Sequence, residues 1–345
     1  MTINAVAGGT AGLTVASRLA EANFSVLLLE AGGFPDGYGL PWDSASLTSD
    51  MSDSSVDWNF TSLPIPGLNG RSVAQHRGLC LGGTSSINGL TYGRGSASIY
   101  DNWQAMGNPG WGWDAVQQYF ERTTYLVPPP SEDHFRTYNS SLYNPSGGPA
   151  QLGYTNYNPP SLDAFVESLP SIDIPIAIDL NNGTNVGGKH ELSWLAPANQ
   201  TRVSSYSAFW NDTVSRPNFE GITFAVVQKI LFRHSGNQEP VAYGVEYNFP
   251  FNGTSQTEVA LANKKVIFSA GTLQTPQILQ LSIPVVYDKC LRNSLNDVPT
   301  VQMILQSTDA ASTNQFQQNM TAQMIAEVAK AQNPASPTDP LNTID

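Results

Sequence analysis

The sequence predicts an α/β protein whose first domain is built on a parallel sheet and whose second domain is less regular. Three observations predict it. The stretch AVAGGTAGLTVASRLAE at residues 5–21 reads as strand, glycine-rich turn and helix. SVLLLE at 25–30 is a fully apolar run of strand length, as a strand covered on both faces requires. VIFSAG at 266–271 is another such run far along the chain and reads as a buried strand.

Taken in order, residues 2–6 form a short strand. Residues 10–22 form a helix with an apolar stripe of Leu13, Val15, Ala16, Leu19 and Ala20. With 25–30 this completes a βαβ unit. Residues 33–75 are rich in Gly, Pro, Ser and Asp and read as loop. Helices follow at 97–106 and 113–121. From 126 to 200 the chain is rich in Pro, Asn and Gly and shows few periods. Strand-like runs return at 222–233, 241–248 and 257–261, then VIFSAG. The helix after it is expected to start at Thr275 as N-cap with Pro276 in its first position. Phe316, Met320, Met324, Ile325 and Val328 follow helical spacing and read as core packing, and 333–345 reads as a disordered tail. The domain expectation is 1–125 with 200–282 for the first domain, and 126–199 with 283–332 for the second.

Composition narrows the function classes. The 345 residues suffice for two domains. Charged residues are only 13%, with net charge −12, which argues against a nucleic-acid partner. No run approaches the ~20 apolar residues of a membrane span. Cys80 and Cys290 make neither a disulfide framework nor a metal pattern and are expected as buried thiols. His76, His134, His190 and His234 are scattered, without metal-ligand spacing. Eight Asn-x-Ser/Thr sequons, from Asn23 to Asn319, and the low charge hint at a secreted protein. Met1, however, runs straight into the first strand without an apolar leader. Either the protein is intracellular or its natural N-terminus lies upstream.

The opening turn carries the first chemistry. Gly9 and Gly12 stand at the second and third glycine positions of a Rossmann-like G-x-G-x-x-G turn. Gly9 lets the main chain approach a pyrophosphate, with Thr10 and Ala11 opening the helix whose N-terminus faces it. Gly12 lets helix and strand pack closely. Ala7 replaces the first glycine, and it is strained only if that position needs a positive φ. Glu30, followed by Ala31, ends the apolar strand, where a carboxylate accepts hydrogen bonds from a ribose hydroxyl and disfavours a 2′-phosphate. The unit alone does not distinguish NAD from FAD.

A second glycine loop does. RGLCLGGTSSINGLTYGRG at 77–95 precedes YDNWQAMGNPGWGWDAVQQYF at 100–120, and DWNF stands at 57–60. Gly82 and Gly83 permit close main-chain approach, and Thr84, Ser85 and Asn88 offer short polar side chains. This block resembles the glucose–methanol–choline (GMC) oxidoreductase family of FAD-dependent enzymes, particularly its fungal aryl-alcohol-oxidase-like members. RVSSYSAFW at 202–210, RPNF at 216–219 and VIFSAGTLQTPQILQLS at 266–282 are similar to further family segments. The resemblance implies a Rossmann-like FAD-binding domain with an incomplete substrate-binding domain. It implies FAD contacts from Cys80, from Asn88, Gly89, Leu90 and Thr91, from the main chain of Val227, and from Ala270 and Gly271. Some members bond the flavin through a histidine in this loop. Here the matching segment is Ser86-Ile87-Asn88, so FAD is expected to be non-covalent. The implied reaction is oxidation of the CH–OH group of a small-molecule alcohol, with hydride passing to the flavin.

The resemblance also breaks. Where the family continues S-G-x-G, Ser282 is followed by Ile283-Pro284-Val285-Val286. The expectation is a C-terminally shortened chain without the family's active-site histidine region. None of the four histidines sits in a matching segment, so no catalytic residue is assigned and the chain alone is expected to be inactive. The alternatives are a mis-spliced fragment without activity, or a non-redox cyclase of fungal secondary metabolism related to the family. An NAD-dependent dehydrogenase has no use for the second glycine loop.

Overall fold

The computed structural model describes residues 2–35, 55–129, 136–155, 160–233, 240–251 and 254–282. The first strand, β1 (Thr2–Val6), leads through the glycine turn into α1 (Thr10–Glu21), and the chain returns as β2 (Ser25–Leu29). Short strands β3 (Phe60–Thr61) and β4 (Ala74–Gln75) pair antiparallel. Then come α2 (Ala97–Ala105), α3 (Trp113–Thr123), β5 (Thr124–Leu126), β6 (Ala150–Leu152), α4 (Pro160–Ser168), β7 (Leu195–Ala196) and β8 (Thr201–Arg202). The last stretch holds α5 (Ser205–Val214), β9 (Phe219–Ile222), β10 (Val226–Arg233), β11 (Val241–Phe251), β12 (Thr254–Leu261), β13 (Lys265–Phe268) and α6 (Gly271–Ser282).

The chain divides into two compact units. The first holds the described residues of 1–40, 47–88 and 204–303. Its centre is a parallel sheet in the order β13-β1-β2-β9. One face of that sheet turns Ala5, Val26 and Leu28 toward Leu13, Ala16 and Ala20 of α1 and Phe209 and Trp210 of α5. The other turns Val6 and Leu29 toward Ala225, Val227, Val245 and Ala260, contributed by the antiparallel sheet β10-β11-β12 and its lead-in. Covering on both sides is why SVLLLE carries no polar alternation. Leu13 and Leu28 are wholly buried, each worth about 1.5–3 kcal/mol relative to exposure. The α1 C-terminus closes on Asn23 in the left-handed region (φ 63°). The Phe24 N–H donates to Leu19 O (3.0 Å), and asparagine tolerates this cap better than most residues.

The second unit holds the described residues of 89–203. Its core gathers Tyr92, Leu142, Tyr143, Leu152, Tyr154 and Leu192. Arg94 is buried among them, its Nε donating to the Tyr92 hydroxyl (2.7 Å) and its Nη2 to Leu142 O (2.6 Å). These contacts explain one difference from the sequence reading. The stretch 89–125, expected in the first domain, belongs to the second unit because Leu90, Tyr92 and Arg94 are anchored in its core. The first unit resumes at Ser204 rather than at 200.

A second correction concerns α6. It begins at Gly271, not after Thr275, and Pro276 lies inside it. Gly271 takes φ 80°, a left-handed turn that starts the helix at once after β13, one turn earlier than the proline signal suggests. Pro276 therefore lacks the N–H that would bond the Thr272 carbonyl, and its ring crowds that carbonyl, as an interior proline does. The expectations for 283–332, the tail 333–345, Cys290, His134 and His234 lie outside the described residues.

Ala7 settles an open question. Its φ is 70°, so the first-glycine position does require the left-handed region. That conformation costs an L-residue about 1–2 kcal/mol. Ala7→Gly relieves it but enlarges unfolded-chain freedom by about 0.4–1 kcal/mol. The variant is expected to be more stable by roughly 0.5–1 kcal/mol in urea unfolding. A clear loss would refute the strain assignment.

Candidate functional site

The site grows from the β1–α1 turn. Gly9 is the α1 N-cap in extended conformation, and no side chain caps the first turn. The second glycine loop meets it directly. Gly82, with φ 87°, donates its N–H to Gly8 O (2.8 Å) and leads into the single 3₁₀ turn Gly83–Ser86. The Ser85 N–H donates to Thr10 Oγ1 (3.2 Å), and the Thr10 hydroxyl donates to Gly82 O (3.4 Å). A Cβ placed on Gly83 would come within 2.7 Å of Gly9 Cα, so side chains are excluded where the loops cross. From α5, Ser205 Oγ reaches Gly9 O (3.4 Å) and its N–H donates to Ser85 Oγ (3.0 Å).

Glu30 closes one side. Its Oε2 accepts from Gly8 N–H (2.7 Å) and its Oε1 from Gly32 N–H (2.9 Å). Burial pushes its carboxyl up to about 7, against the lowering effect of the Gly32, Gly8 and Ala31 N–H groups. Between these elements lies a cavity of about 220 Å³. That is smaller than the roughly 300–1,000 Å³ of a pocket for a whole drug-sized ligand.

The predicted residues divide clearly. Gly9, Thr10, Ala11, Glu30, Ala31, Gly83, Thr84, Val227, Ala270 and Gly271 all line the cavity. Gly12, Cys80, Gly82, Ser85 and Asn88 do not line it. Gly12 packs α1 onto the turn, against Ala7 O and Ser269. Cys80 is wholly buried in a small cluster with Val56 and Ile87. Gly82 and Ser85 tie the two loops together. Gly89, Leu90 and Thr91 fall in the second unit, where Leu90 packs on Leu195 and Thr91 bridges Ser193.

Sequence reasoning missed Trp58, Arg77, Ser269, Thr272 and Gln274 as wall residues. Trp58 lies within DWNF and Arg77 opens RGLCLGG, so the signal was present without a role attached. Two of the four histidines lie beside carboxylates. His76 Nδ1 lies 2.6 Å from Oδ2 of the buried Asp57, and the buried His190 lies 3.2 Å from Asp163. Among the described residues no cluster of His, Cys, Asp or Glu could hold a metal, and no helix is long and apolar enough to cross a membrane.

Residues 4–283 match the sequence profile of the GMC oxidoreductase family. The chain belongs to that family. Among curated GMC relatives, the dehydrogenase pkfF of Emericella nidulans is 33% identical over 294 residues, covering 80% of this chain and 46% of that protein. The glucose dehydrogenase (FAD, quinone) of Drosophila melanogaster is 33% identical over 285 residues, covering 80% and 42%. Among solved structures, an FAD-dependent oxidoreductase from Chaetomium thermophilum superposes with a TM-score of 0.72 at 33% identity, over 81% of this chain and 47% of that one. A fungal aryl-alcohol oxidase superposes with a TM-score of 0.68 at 25% identity, over 81% and 47%. The chain thus spans about half the length of the curated relatives it matches.

Proposed function

We propose that these residues build the adenosine-diphosphate half of a non-covalent FAD site in an oxidoreductase acting on the CH–OH group of small-molecule donors. The convergence of the two glycine loops on a cavity walled by Glu30 and Val227 carries this reading. Glu30 would accept from the ribose hydroxyls, the Val227 main chain would meet the adenine edge, and the uncapped first turn of α1 would face the diphosphate. The steric exclusion at Gly83, where a side chain would strike the Gly9 main chain, supports the fit, because it leaves bare main chain where a phosphate must approach. Ser86, Ile87 and Asn88 offer no histidine for a covalent link. Bound FAD would supply the two-electron acceptor, and the chain's own residues would orient it and exclude water.

Among the described residues no histidine lines the cavity, so this reading separates cofactor binding from turnover. Incubated with FAD and passed over a desalting column, the chain is expected to retain flavin absorbance and to release it all on acid precipitation. At FAD concentrations about 100-fold above Kd, stability is expected to rise by about 2.7 kcal/mol, read as a higher melting midpoint. Aryl or alkyl alcohols are expected to leave the flavin absorbance unchanged. No midpoint shift at saturating FAD defeats the cofactor reading, and alcohol-dependent bleaching defeats the inactivity of this chain.

A further inference from the structure

We propose that Arg77 is the cation that binds the dinucleotide diphosphate, and that Asp57 and His76 are positioning residues that set it on the cavity wall. The proposal rests on the FAD reading above and adds the charge partner that reading lacks. Of the described residues lining the cavity, Arg77 is the only cation and Glu30 the only carboxylate. A diphosphate brings two negative charges. The α1 N-terminus offers about half a positive charge. The chain as a whole carries −12, so its overall field does not help an anion. A site beside the Glu30 carboxylate therefore needs a local cation.

The surroundings of Arg77 are built rather than incidental. Asp57 is 3% exposed. Its Oδ1 accepts from the N–H groups of Arg77 (2.8 Å) and Asn59 (3.1 Å), and its Oδ2 lies 2.6 Å from His76 Nδ1. The Trp58 N–H donates to Arg77 O (2.9 Å), and the Leu79 N–H donates to Val56 O (2.6 Å). One buried carboxylate thus clamps 57–59 to 76–77, the two segments that put Trp58 and Arg77 on the wall. The guanidinium itself is braced, with Nη1 donating to His76 O (2.6 Å) and Nη2 to Gln75 Oε1 (3.3 Å). A guanidinium has five N–H groups, more than these two acceptors use, and its planar fork suits phosphate oxygens. His76 therefore acts twice, through its ring on Asp57 and through its carbonyl on Arg77.

The test compares binding of FAD, ADP and adenosine by calorimetry to wild type, Arg77→Gln, Arg77→Lys, His76→Gln and Asp57→Asn, with melting midpoints to certify folding. Arg77→Gln is expected to weaken FAD and ADP at least tenfold while leaving adenosine within twofold. Arg77→Lys should fall between, since the charge remains without the fork. His76→Gln and Asp57→Asn should weaken ADP relative to adenosine, and should add little in an Arg77→Gln background. If Arg77→Gln fails to fold, the same answer comes from Arg77→Lys and from the salt dependence of ADP binding by wild type, which must be steeper than that of adenosine. Equal losses for ADP and adenosine, or unchanged ADP binding, overturn the role of Arg77 alone. A wild type that binds none of the three overturns the FAD reading and this proposal with it.

Discussion

Gly12→Ala is expected to destabilise the first unit by about 3 kcal/mol, the upper end of what overpacking a tight contact costs. A Cβ at this position would lie far inside van der Waals contact distance of the Ala7 carbonyl oxygen, with Ser269 Cβ 3.1 Å away. The clash is with main chain, which cannot swing aside as a long side chain would. Either α1 lifts off β1, opening the interface of Leu13, Ala16 and Ala20, or the turn at Ala7 distorts. Gly9→Ala is the control. Its new Cβ finds only Gly83 Cα, at an ordinary 3.8 Å, and its φ of −74° suits any residue. The expected stability loss there is about 1 kcal/mol or less, from the poorer N-cap. FAD affinity, however, should fall in both variants, since Gly9 lines the cavity and so does Ala7, whose turn the Gly12 substitution distorts. Thermal unfolding followed by circular dichroism separates the two, with the midpoint temperature of Gly12→Ala expected to drop by roughly 6–12 °C. A Gly12→Ala variant as stable as wild type would show that helix and turn do not meet as described.

That contrast also marks what the sequence could reveal. The β1–α1–β2 unit was legible because two periods alternate there, a continuous apolar run giving way to a 3.6-residue stripe and back. Burial patterns say which face is covered but not by what. Nothing in VVQKILFR announces that β10 leaves the parallel sheet and joins an antiparallel one covering it. Arg94, in a polar GRG context, gives no hint of burial among Tyr92, Phe120 and Tyr143, yet its guanidinium stacks 5.1–5.9 Å from those rings. That anchoring moved 89–125, and with it Gly89, Leu90 and Thr91, into the second unit. Pro276 misled for a related reason. Proline marks a helix start by local preference, but Gly271 had already made the turn. Of the residues lining the cavity, Glu30 and Thr10 were legible from their chemistry. Trp58 and Arg77 were not, because their place on the wall depends on the Asp57 clamp.

Glu30 gives the second large effect, and its sign is definite. Burial raises its folded-state pKa from an ordinary 4.5 to about 7. Between these values the folded state holds the proton and the unfolded chain does not, so stability falls as pH rises. The contribution is full below about pH 4.5 and lost above about pH 7, and it amounts to about 3 kcal/mol. Glu191 in the second unit is also pushed up to about 7 by burial, so the wild-type profile alone mixes two groups. Glu30→Gln isolates one. Between pH 5 and 8 the wild type is expected to lose about 2.5 kcal/mol more than this variant in urea unfolding. Parallel profiles would sink the assignment. A buried carboxylate that weakens the fold at neutral pH is the kind of local conflict retained at a binding site. Ribose hydroxyls donating to it would favour the charged form and draw its pKa back down. Saturating FAD should therefore flatten the wild-type profile and release protons near pH 7, while leaving the Glu30→Gln profile as it was. A wild-type profile that keeps its slope with FAD bound would place the ribose away from Glu30.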